Sequence, residues 1–193
     1  LKMKKLYLAS SSPRRKKLLR LLGLEYTAVP VRVNENLLPG ELPEIACQRI
    51  ALDKAVHAAS RLKEGVVLGC DTIVVVDSEI LGKPGNPEEA QSMLRKLSGK
   101  KHFVYTGLAL LDVENCQVFT DFERTAVYFR ELEAEEIRDY VESGEPLGKA
   151  GAYAIQGKAA IFVERIEGCF YNVVGLPLYR LFMLLKKNGI KVK

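Results

Sequence analysis

The sequence predicts an α/β domain with a twisted mixed sheet flanked by helices, and three observations predict it. Apolar runs of strand length alternate with segments of helical periodicity along the whole chain. Tight strand-to-strand turns and long crossovers both occur, as a sheet with antiparallel and parallel neighbours requires. The chain has 193 residues, 48% of them hydrophobic, which suits a single domain over 1–193 with a sizeable core. No internal repeat, low-complexity tract or interdomain linker interrupts it.

The elements follow in order. Leu6 to Ala9 is a short apolar strand. Ser12-Pro13 starts a helix, with Ser12 as N-cap and Pro13 at the first helical position, and Gly23 ends it. YTAVPVRVNENLLPGE (26–41) is extended and irregular, with Glu35 in a turn-like stretch. Pro43 to Leu62 is helical, because Cys47, Ile50, Ala51, Lys54, Ala58 and Leu62 fall on one face. Val66 to Gly69 is a buried strand, Asp71-Thr72 follows its carboxyl end, and Ile73 to Val76 is a second run before a turn at Asp77-Ser78. NPEEAQSMLRKLSG is a helix with Asn86 as cap, Pro87 at its start, Glu88 and Glu89 in its first turn and Gly99 at its end. Residues 102–113 and 117–129 form a long hairpin around Glu114-Asn115. A polar-faced helix runs to Gly144, GKAGAYAIQGK is a glycine-rich loop, residues 159–175 read as another hairpin, and residues 176–189 as the closing helix.

Composition narrows the function classes. The net charge of +5 comes partly from lysines near the termini (Lys2, Lys4, Lys5, Lys186, Lys187, Lys191 and Lys193), which read as solubilising tails, so no nucleic-acid partner is expected. No apolar run approaches the ~20 residues of a membrane span. No signal-type segment is present either, so a cytoplasmic location without membrane contact is expected. Cys47, Cys70, Cys116 and Cys169 are scattered without a C-x-x-C pair and read as free thiols. His57 and His102 stand alone, which argues against a zinc site and against histidine catalysis.

One stretch breaks a local rule. In LASSSPRRKKLL the first helix carries Arg14 and Arg15 in its first turn, the positive end of the helix dipole, where cations are unfavourable. Free backbone N–H groups, the hydroxyls of Ser10 to Ser12 and two guanidiniums together make an anion trap suited to phosphate. The two arginines would otherwise simply pair with surface carboxylates. Neither G-x-x-x-x-G-K-[ST] nor G-x-G-x-x-G occurs.

Lys54 lies in the apolar stripe of its helix, where a charge needs a partner or an aqueous cleft, unless it snorkels to the stripe's edge. Unpaired there, it would contribute little to stability. Lys83 is held between Gly82 and Pro84, and alone reads as a loop charge. Asp71 sits between two apolar runs, so a cation or a metal must be near unless it is a turn or capping residue. Nothing local marks Glu35. The inventory of several cations with carboxylate acceptors for Mg²⁺ suits hydrolysis or transfer at a polyphosphate.

SSSPRR, GCDT, LGKP, MLRKLSGK and KAGAYAIQG, in this order along nearly the whole chain, resemble the Maf family of nucleoside triphosphate pyrophosphatases, also called septum-formation inhibitor proteins. The resemblance implies an ITPase-like fold with a substrate cleft beside the mixed sheet and a cytoplasmic homodimer, dependent on a divalent metal, Mg²⁺ or Mn²⁺. Its implied reaction is hydrolysis of a nucleoside triphosphate to monophosphate and pyrophosphate. It implies that Asp71 is the proton acceptor, that Arg14, Arg15, Lys54 and Lys83 hold phosphates, and that Glu35, together with Asp71, places the metal. Arg14, Thr72 and Gln156 match positions tied to substrate choice, in the pattern of the dTTP/UTP branch. Gln156 offers a donor and an acceptor to a pyrimidine edge, or bonds loop backbone. Two departures are Cys70, where alanine is commoner, and Asn34, where an acidic residue is frequent. Other readings of the inventory are a nucleotidyltransferase and a nucleotide-sensing regulator of septum formation with incidental hydrolysis.

Overall fold

The computed structural model describes residues 3–192, so Lys2 and Lys193 of the terminal tails lie outside the described residues. The strands are β1 (Leu6–Leu8), β2 (Thr27–Ala28), β3 (Val66–Val76), β4 (Glu79–Leu81), β5 (Lys101–Asp112), β6 (Gln117–Phe129) and β7 (Val163–Glu167). The helices are α1 (Pro13–Leu21), α2 (Pro43–Ala59), α3 (Pro87–Leu97), α4 (Ala134–Glu142), α5 (Phe170–Val174) and α6 (Leu178–Lys187). Among the described residues the seven strands form one sheet in the order β2-β1-β3-β5-β6-β7, with β4 paired to β3. The sheet is mixed, as expected: β1 runs parallel to β2 and β3, whereas the β3–β4 and β6–β7 pairs are antiparallel.

The chain forms two compact units. The first comprises the chain up to Asp71, Thr106–Glu123 and the chain from Gly175. Its core packs Ala51, Ala55 and Ala58 of α2 against Ala9, Val67 and Ala109, with Tyr7, Val29 and Leu111 around them. Small residues on α2 let its backbone lie directly on the sheet. A Cβ at Gly69 would stand 2.0 Å from the Ala51 carbonyl oxygen, and one at Gly107 would stand 2.3 Å from that of Cys47. Glycine is required at both positions because any side chain would push the helix away. Lys4 is no solubilising tail: its Nζ lies 2.6 Å from the buried Asp112 carboxylate.

The second unit comprises Thr72–Tyr105 and Arg124–Val174. There α3 packs on α4 and on the 3-10 turn at Ala150–Ala152. His102, Phe129 and Tyr153 form a buried cluster with ring edges pointing at ring faces.

Three expectations change. Residues 159–175 are not a hairpin: Lys158–Phe162 is a 3-10 turn, β7 pairs with β6, and the second arm is the short helix α5. That arm is a helix anchored by the buried Asn172, whose Nδ2 donates to the Val104 carbonyl and to Thr125 Oγ1. Asp71 lies within β3 rather than at a strand end, since Ile73 to Val76 continue the strand and Val74 to Val76 pair with β4. The helix predicted to Leu62 closes at Ala59, with Ser60 as its C-cap.

Candidate active site

Parallel pairing of β1 with β3 sets the frame of the first unit. Leu8 lies opposite Leu68, and continuing that register by two residues puts Ser10 level with Cys70. Side chains on one strand face alternate, so Asp71 shares the face of Gly69, on which α2 lies. Lys54, three residues beyond Ala51 on α2, therefore meets Asp71.

The meeting is an ion triad. Lys54 Nζ stands 2.7 Å from Asp71 Oδ1 and 2.8 Å from Glu35 Oε1, and also donates to the Cys70 carbonyl at 3.5 Å. Lys54 and Asp71 are both buried, whereas the Glu35 side chain is 39% exposed. Lys54 is thus a partnered charge, which removes the premise that it adds little to stability. Burying both ions is tolerated because they partner each other and Lys54 has a second carboxylate and the Cys70 carbonyl besides.

The α1 start stands beside this triad in the same unit. Ser12 Oγ caps the helix by accepting from the Arg15 backbone N–H, and the buried Ser10 Oγ accepts from the Ser12 N–H at 3.2 Å. Arg15 is held from two sides: Nε donates to the Gly175 carbonyl at 2.9 Å and Nη1 to Ser10 Oγ at 3.3 Å. Arg14 is half-buried in the first turn. Burial pushes the Cys70 thiol up to about 11 against the pull of the Arg15 and Lys54 cations. Burial and the Asp71 charge together push the Cys47 thiol up to about 12. Both cysteines near the triad are therefore protonated at neutral pH and are not nucleophiles.

Ser10, Ser12, Arg14, Arg15, Glu35, Lys54 and Asp71 thus belong to one compact unit, and Thr72, Lys83 and Gln156 to the other. Thr72 follows Asp71 on β3, half-buried and on the opposite strand face. Lys83 is exposed after β4, before the buried Pro84. Gln156 is exposed at a turn that follows the buried run Gly151 to Ile155. That turn is fastened within its own unit. Tyr140 OH accepts from the Ala154 N–H and donates to Glu145 Oε1, while Glu145 Oε2 accepts from the Lys158 N–H.

Among the described residues, no three or more His, Cys, Asp or Glu side chains are grouped to hold a metal ion. Glu35 and Asp71 nevertheless converge on one positive charge, that of Lys54. Two carboxylates suit Mg²⁺ or Mn²⁺, which keep waters and complete their shell with substrate phosphates. Sequence reasoning missed Arg49 and Glu41, which pair beneath the Glu35 loop. Their separation across a helix start carries no pattern that would have marked them.

The family profile described as Maf-like protein matches residues 5–188. A dTTP/UTP pyrophosphatase of Syntrophomonas wolfei is 46% identical over 96% of this chain and 98% of its own length. One of Bacillus cereus is 50% identical over 98% of each chain. One of Methanosarcina mazei is 46% identical over 98% of this chain and 97% of its own. A solved structure of the Staphylococcus aureus Ham1 protein has a TM-score of 0.46 at 14% identity, covering 65% of this chain and 72% of that one.

Proposed function

This chain belongs to the Maf-like protein family, and from that premise we propose that it hydrolyses nucleoside triphosphates, dTTP and UTP foremost, to monophosphate and pyrophosphate. The observation that carries the reading is the buried Asp71 carboxylate bonded to Lys54, in the unit that also holds the Ser10–Arg15 anion trap. In the proposed reaction a water oxygen bonds to the α phosphorus and the bond from that phosphorus to the α–β bridging oxygen breaks. Asp71 accepts the water's proton. Arg14 and Arg15, with Lys54 and Lys83, hold the phosphates and balance the charge growing on pyrophosphate. Ser10 and Ser12 supply hydroxyls to the same anion, and Thr72 and Gln156 orient the nucleotide. Glu35 and Asp71, with the substrate's phosphates, would hold a divalent ion, which would supply Lewis-acid polarisation of the phosphate and of the attacking water.

The same reading makes residues 1–193 one catalytic domain and places the protein in the cytoplasm as a homodimer. For the described residues, no helix is long and apolar enough to cross a membrane. On α6, Tyr179, Phe182 and Met183 are exposed, an apolar surface that a second copy would cover. Incubating the purified chain with dTTP or UTP and Mg²⁺ and separating the products tests the reaction. Monophosphate and pyrophosphate are expected; diphosphate and orthophosphate would contradict it.

A further inference from the structure

Glu35 is the exposed end of the triad, and between β2 and α2 its segment has no helix or strand. Val29 and Val31 pack on the core at its start, but residues 34–40 are all exposed, and burial alone does not hold a carboxylate there 2.8 Å from a buried ammonium. The fastening comes from α2. Arg49 Nε and Nη2 grip both oxygens of Glu41, at 2.6 and 2.8 Å, and the same Nη2 donates to the Asn36 carbonyl at 3.0 Å, next to Glu35. Glu41 Oε2 also accepts the Leu38 N–H at 3.0 Å, and Asn34 Oδ1 accepts the Asn36 N–H at 2.8 Å. Arg49 and Lys54 stand five residues apart on one rigid helix, so a single element sets the distance from the loop to the ammonium.

We propose that Arg49 is a positioning residue for Glu35, its guanidinium clamping the loop through Glu41 and Asn36 so that Glu35 is delivered to Lys54. This rests on the pyrophosphatase reading for its catalytic consequence, though not for the clamp. Glu41 is 7% exposed at its side chain, and the Arg49 hydrogen bonds hold its carboxyl down at about 2, so the clamp is closed throughout the neutral range. Lysine cannot replace it, because a single ammonium lacks the planar fork that spans two oxygens and a carbonyl.

The test combines kinetics with hydrogen exchange on wild type, Arg49→Met, Arg49→Lys, Glu41→Gln, Glu35→Gln and the Arg49→Met/Glu35→Gln double variant. Arg49→Met should lower kcat/KM for dTTP about tenfold, Arg49→Lys should not restore it, and misplacement of one group by about 1 Å is enough for such a loss. In the Arg49→Met background Glu35→Gln should cost less than about twofold more, since the two residues act as one device. Amide exchange over 34–41 should quicken about tenfold in Arg49→Met and in Glu41→Gln, with α2 unchanged. Multiplying losses, wild-type kinetics in Arg49→Met, or unchanged exchange over 34–41 would each overturn the proposal. Should Arg49→Met fail to fold, Glu41→Gln carries the same cycle with Glu35→Gln. A wild type without hydrolytic activity would defeat the pyrophosphatase reading alone, because the exchange arm still decides the clamp.

Discussion

Two helices of this molecule start alike and are charged oppositely. Both α1 and α3 begin with a capping side chain followed by proline: Ser12-Pro13 and Asn86-Pro87. In α3, Asn86 Oδ1 accepts the Glu89 N–H at 2.8 Å, Glu88 and Glu89 fill the first turn, and Glu89 Oε2 accepts the Gly85 N–H. Every charge there suits the helix dipole. In α1 no acidic residue occupies the first turn, and Arg14 and Arg15 stand in it. The first pattern stabilises a helix; the second sacrifices about 0.3–1 kcal/mol per cation, which the proposed function explains as the cost of a phosphate site.

The buried polar groups repeat the contrast. In the first unit Lys54 and Asp71 form a buried ion pair that connects to the half-exposed Glu35. In the second, His102 Nε2 and Tyr153 OH share a hydrogen bond at 2.8 Å among aromatic edges. Burial holds the His102 imidazole down at about 4 and the Tyr153 phenol well above its usual range, so both are neutral at pH 7. The neutral pair lies within aromatic packing, whereas the charged pair reaches a half-exposed carboxylate, and the proposed reaction uses only the second.

The largest effect expected comes from breaking the charged side of this contrast at its acceptor. Asp71→Asn keeps the shape of the carboxylate and removes its basicity, so kcat should fall about 10²–10⁴-fold while dTTP binding, read by calorimetry, persists. Near-normal turnover in the folded variant would move the proton acceptor elsewhere, Glu35 first. Lys54→Ala should strip Asp71 of its buried partner and cost about 3 kcal/mol or more in urea unfolding, besides lowering turnover. A midpoint equal to wild type would mean that the pair is solvated after all.

The neutral side makes a prediction in pH. With His102 at about 4 in the fold and 6.5 when free, the unfolded chain takes up the proton first as pH falls. Stability should therefore be whole above pH 6.5 and decline by about 3 kcal/mol toward pH 4. His102→Phe should remove that part of the slope; an unchanged slope would place its origin elsewhere. Smaller still is the effect on base choice. Gln156→Glu should lower kcat/KM for UTP and dTTP by about 0.5–1.5 kcal/mol of transition-state binding, the net worth of one hydrogen bond, and spare GTP, because a carboxylate can only accept. Equal losses for all bases would make Gln156 a loop residue.

Much of this contrast was legible before the fold. A proline after a capping side chain, with two arginines next, marks α1 as unlike α3 on local rules alone. Lys54 was visible as a charge in an apolar stripe, and Asp71 as a carboxylate between apolar runs, because burial follows periodicity. That they touch depends on Gly69 and Gly107 bringing α2 down onto the sheet, a long-range fact no local pattern carries. Glu35 and Arg49 were hidden for the same reason: their positions come from a loop without periodicity and from a clamp across a helix start. FYNVV (170–174) misled because aromatic and β-branched residues favour strands, whereas the segment is a helix whose buried Asn172 bonds to the distant Val104 and Thr125.

The central claim, that α1 is charged for a ligand and α3 for its own stability, is tested most directly by one thermal-shift comparison. Wild type, Arg14→Ala and Glu88→Lys are melted with and without saturating dTTP and Mg²⁺, since a ligand that binds only the native state raises the midpoint by mass action. The nucleotide-induced rise should be largely lost in Arg14→Ala. In Glu88→Lys it should be intact, with the ligand-free midpoint lowered by an amount equivalent to about 0.3–1 kcal/mol. An equal nucleotide-induced rise in all three proteins would contradict the claim.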